Sequence, residues 1–166
     1  MDKSDKHFWE TCKLILENNL DKLKIRLEKY PEQIAQKNKT ENSLLYFCQS
    51  SQMAKYLLQQ GLSVHDRDQW GNTPLHLAAY EGLVEVAHVY LQEGADIETK
   101  NLLGQKPYQL ASTITTCELF GSKAFTGDDE LKSLTLYDAV SQGKKEVVAY
   151  ILSSGVDPDL LNYENF

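Results

Sequence analysis

Gly71 and Gly104 stand 33 residues apart, and so do Gly61 and Gly94. A fixed period of that length marks stacked supersecondary units, each too small to bury its own apolar face. The most complete unit covers residues 68–100 and carries Thr73-Pro74-Leu75-His76-Leu77-Ala78. Pro74 begins a helix, because the first helical position leaves its N–H unpaired and proline has none to lose. Leu75, Ala78 and Ala79 give that helix a face of small apolar residues, so a second helix can approach closely. Gly82 permits the tight turn between the two helices. Val86, Val89 and Leu91 form the stripe that the second helix buries, and Gly94 caps it in a left-handed conformation.

Residues 68–100 resemble an ankyrin repeat over the whole unit, with its Thr-Pro-Leu-His turn intact. The resemblance implies an all-α solenoid of about five helix–turn–helix repeats joined by short loops. Other stretches keep pieces of the pattern. Asn42-Ser43-Leu44-Leu45-Tyr46-Phe47-Cys48 aligns with residues 72–78, and a second helix is expected over 53–60. This unit is about three residues short near Ser50-Ser51. Gly104-Gln105-Lys106-Pro107-Tyr108-Gln109-Leu110-Ala111 starts another first helix. Leu136, Gly143 and Gly155 each follow their counterparts Leu75, Gly82 and Gly94 by 61 residues, where two full periods give 66. The unit from Asn101 is therefore about five residues short.

At the N-terminus, residues 7–17 and 20–30 read as a diverged helix pair, with Leu23 and Leu27 inward and Pro31 stopping the second helix. Lys22, Lys24, Arg26, Glu28 and Lys29 are expected on the solvent face that a capping repeat needs. The expected units are 5–37, 38–67, 68–100, 101–128 and 129–161 within a single domain over 1–166. Residues 162–166 fall where a further repeat or a tail begins, which predicts that the native protein continues beyond Phe166.

Composition excludes several classes. No apolar run approaches the roughly 18 residues that span a bilayer, so no membrane insertion is expected. A net charge of −7 disfavours a nucleic-acid backbone as partner. The polar N-terminal residues lack the pattern of a signal peptide. Cys12, Cys48 and Cys117 are odd in number, far apart and set in apolar helical contexts. They read as free core thiols in a reducing, intracellular and cytoplasmic setting, and a monomer is expected.

Residues that look chemical have structural explanations. The resemblance gives His76 and Thr73, three residues earlier, the task of holding neighbouring turns together, with Pro74, Gly82 and Gly94 as further structural positions. His7, His65 and His88 have no partners at metal-ligand spacing and are expected at the surface. Asp66-Arg67-Asp68 lies between units, where Asp side chains cap turns. Gly127-Asp128-Asp129 lacks the alternating oxygen ligands of a calcium loop and reads as the N-cap of a helix from about Glu130. The chain has no phosphate-binding glycine loop, no Gly-x-Ser-x-Gly elbow and no Cys/His nucleophile pair. The expectation is a binding protein, without enzyme activity, cofactor or metal.

The resemblance also says where a partner protein would bind: at the loop tips and the exposed side of each first helix. Those positions are Gln69, Trp70, Asn72, Tyr80, Glu81 and Lys100 in the best unit, and Leu102, Leu103, Gln105, Thr113 and Ile114 in the next. The preceding unit contributes Lys39, Thr40, Asn42 and Arg67, and the last Glu130, Leu131, Ser133, Ser141 and Gln142. Trp70, Leu102, Leu103 and Leu131 would form an apolar line on adjacent tips, either a binding hot spot or loop-to-loop packing. Residues 112–133 depart most from the pattern, with a short helix expected over 116–120 and Phe120 and Phe125 filling the core. A second reading is a targeting module of a larger enzyme. Diverged repeats and a bias of 15 lysines to 2 arginines also resemble bacterial proteins delivered into host cells.

Overall fold

The structure is a computed structural model, and it describes residues 3–120, 136, 139–141 and 143–153. Within them lie α1 (Lys3–Leu16), α2 (Leu20–Lys29), α3 (Ser51–Gln59), α4 (Pro74–Glu81), α5 (Val84–Gln92), α6 (Ile114–Phe120) and α7 (Lys145–Ser153). Three 3-10 turns, Pro31–Ala35, Leu44–Phe47 and Pro107–Leu110, fill places between them. Among the described residues there is no strand. The array is the all-α solenoid that the period predicts.

The third repeat forms as its sequence dictates. Pro74 opens α4, and Gly82 ends it at φ +72°, where the amides of Gly82 and Leu83 return to the carbonyls of Ala79 and Ala78. Leu75, Ala78 and Ala79 are buried, which lets α4 sit between α5 and the two short turns at 44–47 and 107–110. Gly82 is also a point of close approach. A Cβ built there would meet Thr113 Cγ2 at 2.7 Å, so the fourth repeat rests on that glycine. The buried stripe of α5 differs from the expected one: Val86, Ala87, Val89 and Tyr90 turn inward, and Leu91 is only partly covered. Tyr90 is tolerated in the core because its hydroxyl donates to the Leu45 carbonyl at 2.7 Å.

The two neighbouring repeats keep only one 3-10 turn of their first helix. In the second, the inner helix is one 3-10 turn, Leu44–Phe47, and α3 begins at once with Ser50 as its cap. The residues missing near Ser50-Ser51 are thus the last turn of the inner helix. The fourth repeat is cut the same way, at Pro107–Leu110. Its second helix, α6, starts two residues before the expected 116–120. Thr113 and Thr116 cap it reciprocally: Thr113 Oγ1 accepts from the Thr116 amide at 3.2 Å, and Thr116 Oγ1 from the Thr113 amide at 3.1 Å. Hydroxyl residues that disfavour a helix interior here build its start. Phe120 is buried as expected, whereas Phe125 and the turn at 127–129 lie outside the described residues.

In the first repeat, one expectation is overturned. Arg26 does not face solvent. Its side chain is 17% exposed, with Nε donating to Thr11 Oγ1 at 2.8 Å and Gln33 Oε1 at 3.0 Å. Nη2 donates to Glu10 Oε2 at 2.8 Å and to the His7 carbonyl at 3.1 Å. His7 lies at the surface as expected, its side chain 45% exposed, and stacks on Tyr30 at 5.9 Å beside this cluster. The reason is local. The turn Pro31–Ala35 folds Gln33 back into the seam between α1 and α2, and the guanidinium supplies the donors its buried amide oxygen needs.

Cys12, Cys48 and Cys117 are free and buried. Burial pushes the first two thiols up to about 12 and the third to about 11. Among the described residues, no helix is long and apolar enough to cross a membrane.

Candidate functional site

Three inter-repeat loops are built alike. Asn38, Asp68 and Asn101 each open a turn in which Oδ1 accepts the amides two and four residues further on. The distances are 2.9 and 2.9 Å for Asn38, 2.9 and 2.8 Å for Asp68, and 3.0 and 2.9 Å for Asn101. The position three residues on is left-handed each time: Glu41 at φ +62°, Gly71 at +76° and Gly104 at +77°. Main-chain bonds then stitch the loops together, from the Gln69 amide to the Thr40 carbonyl at 3.0 Å and from the Leu102 amide to the Trp70 carbonyl at 2.9 Å. Arg67 adds a further stitch by donating to the carbonyls of Gly71 at 3.2 Å and Lys100 at 2.9 Å.

Beneath the loops, each inner helix or turn carries a residue at one equivalent position. In the third repeat it is His76, fully buried. Its Nδ1 accepts the Thr73 amide at 3.0 Å, with the Thr73 hydroxyl 2.8 Å away, and its Nε2 lies 3.1 Å from the Gln105 carbonyl. The amide bond to Nδ1 assigns the proton to Nε2, which donates across the seam into the fourth repeat. Burial holds the imidazole below its ordinary value, and so it is neutral at pH 7. In the second repeat Tyr46 takes this position. Its hydroxyl reaches the carbonyls of Asn72 at 2.6 Å and Asp66 at 3.0 Å. Sequence reasoning missed Tyr46, although Ser43-x-x-Tyr46 stands in register with Thr73-x-x-His76. In the fourth repeat Gln109 closes locally, its Oε1 accepting the Lys106 amide at 2.7 Å.

On this pinned frame, Trp70, Asn72, Leu77, Tyr80, Leu103 and Leu110 line a groove of about 290 Å³ between the third and fourth repeats. Trp70 is 52% exposed, Tyr80 50% and Leu103 81%. Gln105 also borders the groove, while Asn72 Oδ1 accepts from Asn101 Nδ2 at 2.9 Å, so its side chain holds the loops as well. Leu102 is exposed at the tip and close over Gly71. Gln69 and Lys100 are exposed beside it, each tied to the neighbouring loop through its own backbone. Glu81 lies on the other flank of α4. There it borders a second recess of about 210 Å³ with Leu16, Phe47, Cys48 and Leu83, where the second repeat lacks the last turn of its inner helix. Ile114 is half-buried at the start of α6, and Thr113 sits over Gly82. Leu131, Glu130, Ser133 and Gln142 lie outside the described residues.

The buried imidazole has both nitrogens engaged, and the thiols are covered. Among the described residues, no group of three His, Cys, Asp or Glu is placed to hold a metal ion.

Comparison with known proteins agrees with this architecture. The family model for ankyrin repeats, in three copies, matches residues 4–101. Over 97 residues the chain is 33% identical to a transient receptor potential cation channel subfamily A member 1 homolog from Caenorhabditis elegans, covering 56% of this chain and 8% of that protein. Human ankyrin repeat and SOCS box protein 11 is 41% identical over 64 residues, covering 39% of this chain and 20% of that protein. A putative ankyrin repeat protein of Rickettsia felis is 40% identical over 60 residues, covering 33% of this chain and 26% of that protein. The chain thus spans only a small part of the length of the curated relatives it matches.

Proposed function

This chain belongs to the ankyrin repeat family, whose repeats generally mediate protein–protein interaction, and on that premise we propose that it binds a partner protein through the groove between its third and fourth repeats. The partner itself is unidentified. One observation carries the reading: Trp70, Tyr80 and Leu103, from two different repeats, converge half or more exposed on a single apolar groove. Large apolar side chains held at the surface by a pinned backbone present binding area at little ordering cost. Arg67, Gln69, Lys100 and Leu102 frame the groove along the tips, and Ile114, Glu81 and Leu131 belong to a wider surface in this proposal. No catalysis is assigned to the array, which acts as a monomeric scaffold with units at 5–37, 38–67, 68–100, 101–128 and 129–161.

Affinity capture from a cell lysate tests the groove. Trp70→Ala combined with Leu103→Ala should abolish capture while far-ultraviolet circular dichroism keeps its helical signal. Unchanged capture would count against this surface.

The length of some matched relatives, such as the Caenorhabditis elegans channel homolog of which the match covers 8%, supports a second reading, in which the array is the targeting module of a longer protein, an enzyme or a host-directed effector. The native mass decides it. A mass equal to that of this chain removes the second reading, and a new domain following the repeats favours it.

A further inference from the structure

The same position takes three different residues in consecutive repeats, and only one of them titrates near neutral pH. Tyr46 crosses the seam between the second and third repeats, His76 crosses the seam between the third and fourth, and Gln109 bonds within its own turn. The groove lined by Trp70, Tyr80 and Leu103 spans the seam that His76 closes. From this geometry we infer that His76 is a pH-sensitive latch: acid loosens the seam between the third and fourth repeats and so disassembles the groove, while the preceding seam stays closed.

The bonding of the ring gives the mechanism. A second proton on the imidazole must go to Nδ1, which faces the Thr73 amide at 3.0 Å. Two N–H groups then point at each other, and the Thr73 amide loses its acceptor in a buried site. The ring relieves this by turning or leaving, and either movement breaks the 3.1 Å contact of Nε2 with the Gln105 carbonyl. That contact is one of the bonds that bind the fourth repeat to the third, beside the Leu102–Trp70 main-chain bond.

Arg67 and Asp68 are the charged side chains that bear on this ring, and the elements packed on α4 carry titratable groups of their own. Arg67 opposes protonation and Asp68 favours it, but burial outweighs both and lowers the affinity for the proton. From the turn at 44–47, Tyr46 is engaged by the Asp66 and Asn72 carbonyls, and its phenol is held far above neutrality by burial. From α5, Tyr90 is committed to the Leu45 carbonyl and is likewise raised by burial, while Glu85, His88 and Glu93 are exposed. From the turn at 107–110, Tyr108 lies beneath Lys106, whose ammonium is paired with Glu98 at 2.6 Å.

The sign follows from linkage. The opened state takes a proton near the ordinary value of 6.5, and the closed state only at lower pH. Closure is therefore fully favoured above 6.5 and weakens as pH falls, by at most about tenfold per pH unit until the closed ring itself titrates. The consequence for binding rests on the groove proposed above, whereas the latch stands on the seam alone.

Amide hydrogen exchange resolved by NMR on the full chain, without any partner, separates the two. Protection factors are corrected for the intrinsic pH dependence of exchange and compared at pH 7.5 and 5.5 for wild type, His76→Tyr and His76→Gln. Tyr and Gln occupy the equivalent position in the sister repeats, so both are compatible with the fold. In the wild type, the amides of Leu102, Gln109 and Ala111 should lose up to about tenfold in protection at pH 5.5, while the Gln69 amide across the Tyr46 seam keeps its value. Both variants should flatten the change. An equal loss at the two seams overturns the latch, and so does a loss that persists in the variants. If neither variant folds, the comparison of the two seams in the wild type decides alone.

Discussion

Glu41 and Gly71 occupy the same place in successive loops with the same left-handed backbone. Glycine adopts it freely, but a residue with a Cβ is strained there by about 1–2 kcal/mol. Glu41→Gly should therefore stabilise the protein by about 1 kcal/mol, read as a higher urea midpoint with an unchanged slope. Gly71→Ala should do the reverse, because a Cβ at this φ also meets the Leu102 amide nitrogen at 3.1 Å. The cysteines make a second residue-scale case. With thiols pushed up to about 12, 12 and 11, on the order of one in a thousand or fewer is ionised at pH 8. A thiol-specific disulfide reagent should react with the folded chain far more slowly than with the chain in urea, and equal rates would contradict the burial.

At the scale of elements, contacts between neighbouring helices decide stability. The α1–α2 pair depends on Arg26, whose removal would leave the Gln33 amide oxygen and the Thr11 hydroxyl short of partners. Arg26→Ala should cost about 2 kcal/mol, measured by chemical denaturation, whereas Lys22→Ala on the exposed face should change little. Gly82→Ala should destabilise the contact between α4 and the fourth repeat by about 1–3 kcal/mol, since Thr113 already stands where the new methyl would go. Substitution of Gly94 lacks that steric component, because a Cβ there meets nothing within 4 Å.

Across the whole molecule, what could be read in the sequence was what repeats. Pro74, Gly82 and the 33-residue period located α4, α5 and the array, because each of these residues answers a backbone requirement that few others meet. The shortening of the second repeat could be placed near Ser50-Ser51, but that of the fourth was visible only as a count, because deletion of inner-helix residues and deletion of a loop give the same spacing. Arg26 was misplaced because charge alone suggests solvent, and only the return of Gln33 creates a buried site needing donors. Trp70, Tyr80 and Leu103 were legible as exposed candidates through the repeat register. That Glu81 lies on the opposite flank of α4 from Tyr80 follows from the helical rotation between consecutive residues.

The loops carry one more implication. Asn38, Asp68 and Asn101 close their turns with side-chain oxygens that point back into the backbone, so Trp70 and Leu103 at the tips contribute main-chain groups to the turns they sit on and leave their side chains out of them. In the proposed function, recognition by these two side chains is thereby separated from the closing of the turns. Such a chain can exchange the former without renegotiating the latter, and a new set of tips would inherit a finished scaffold.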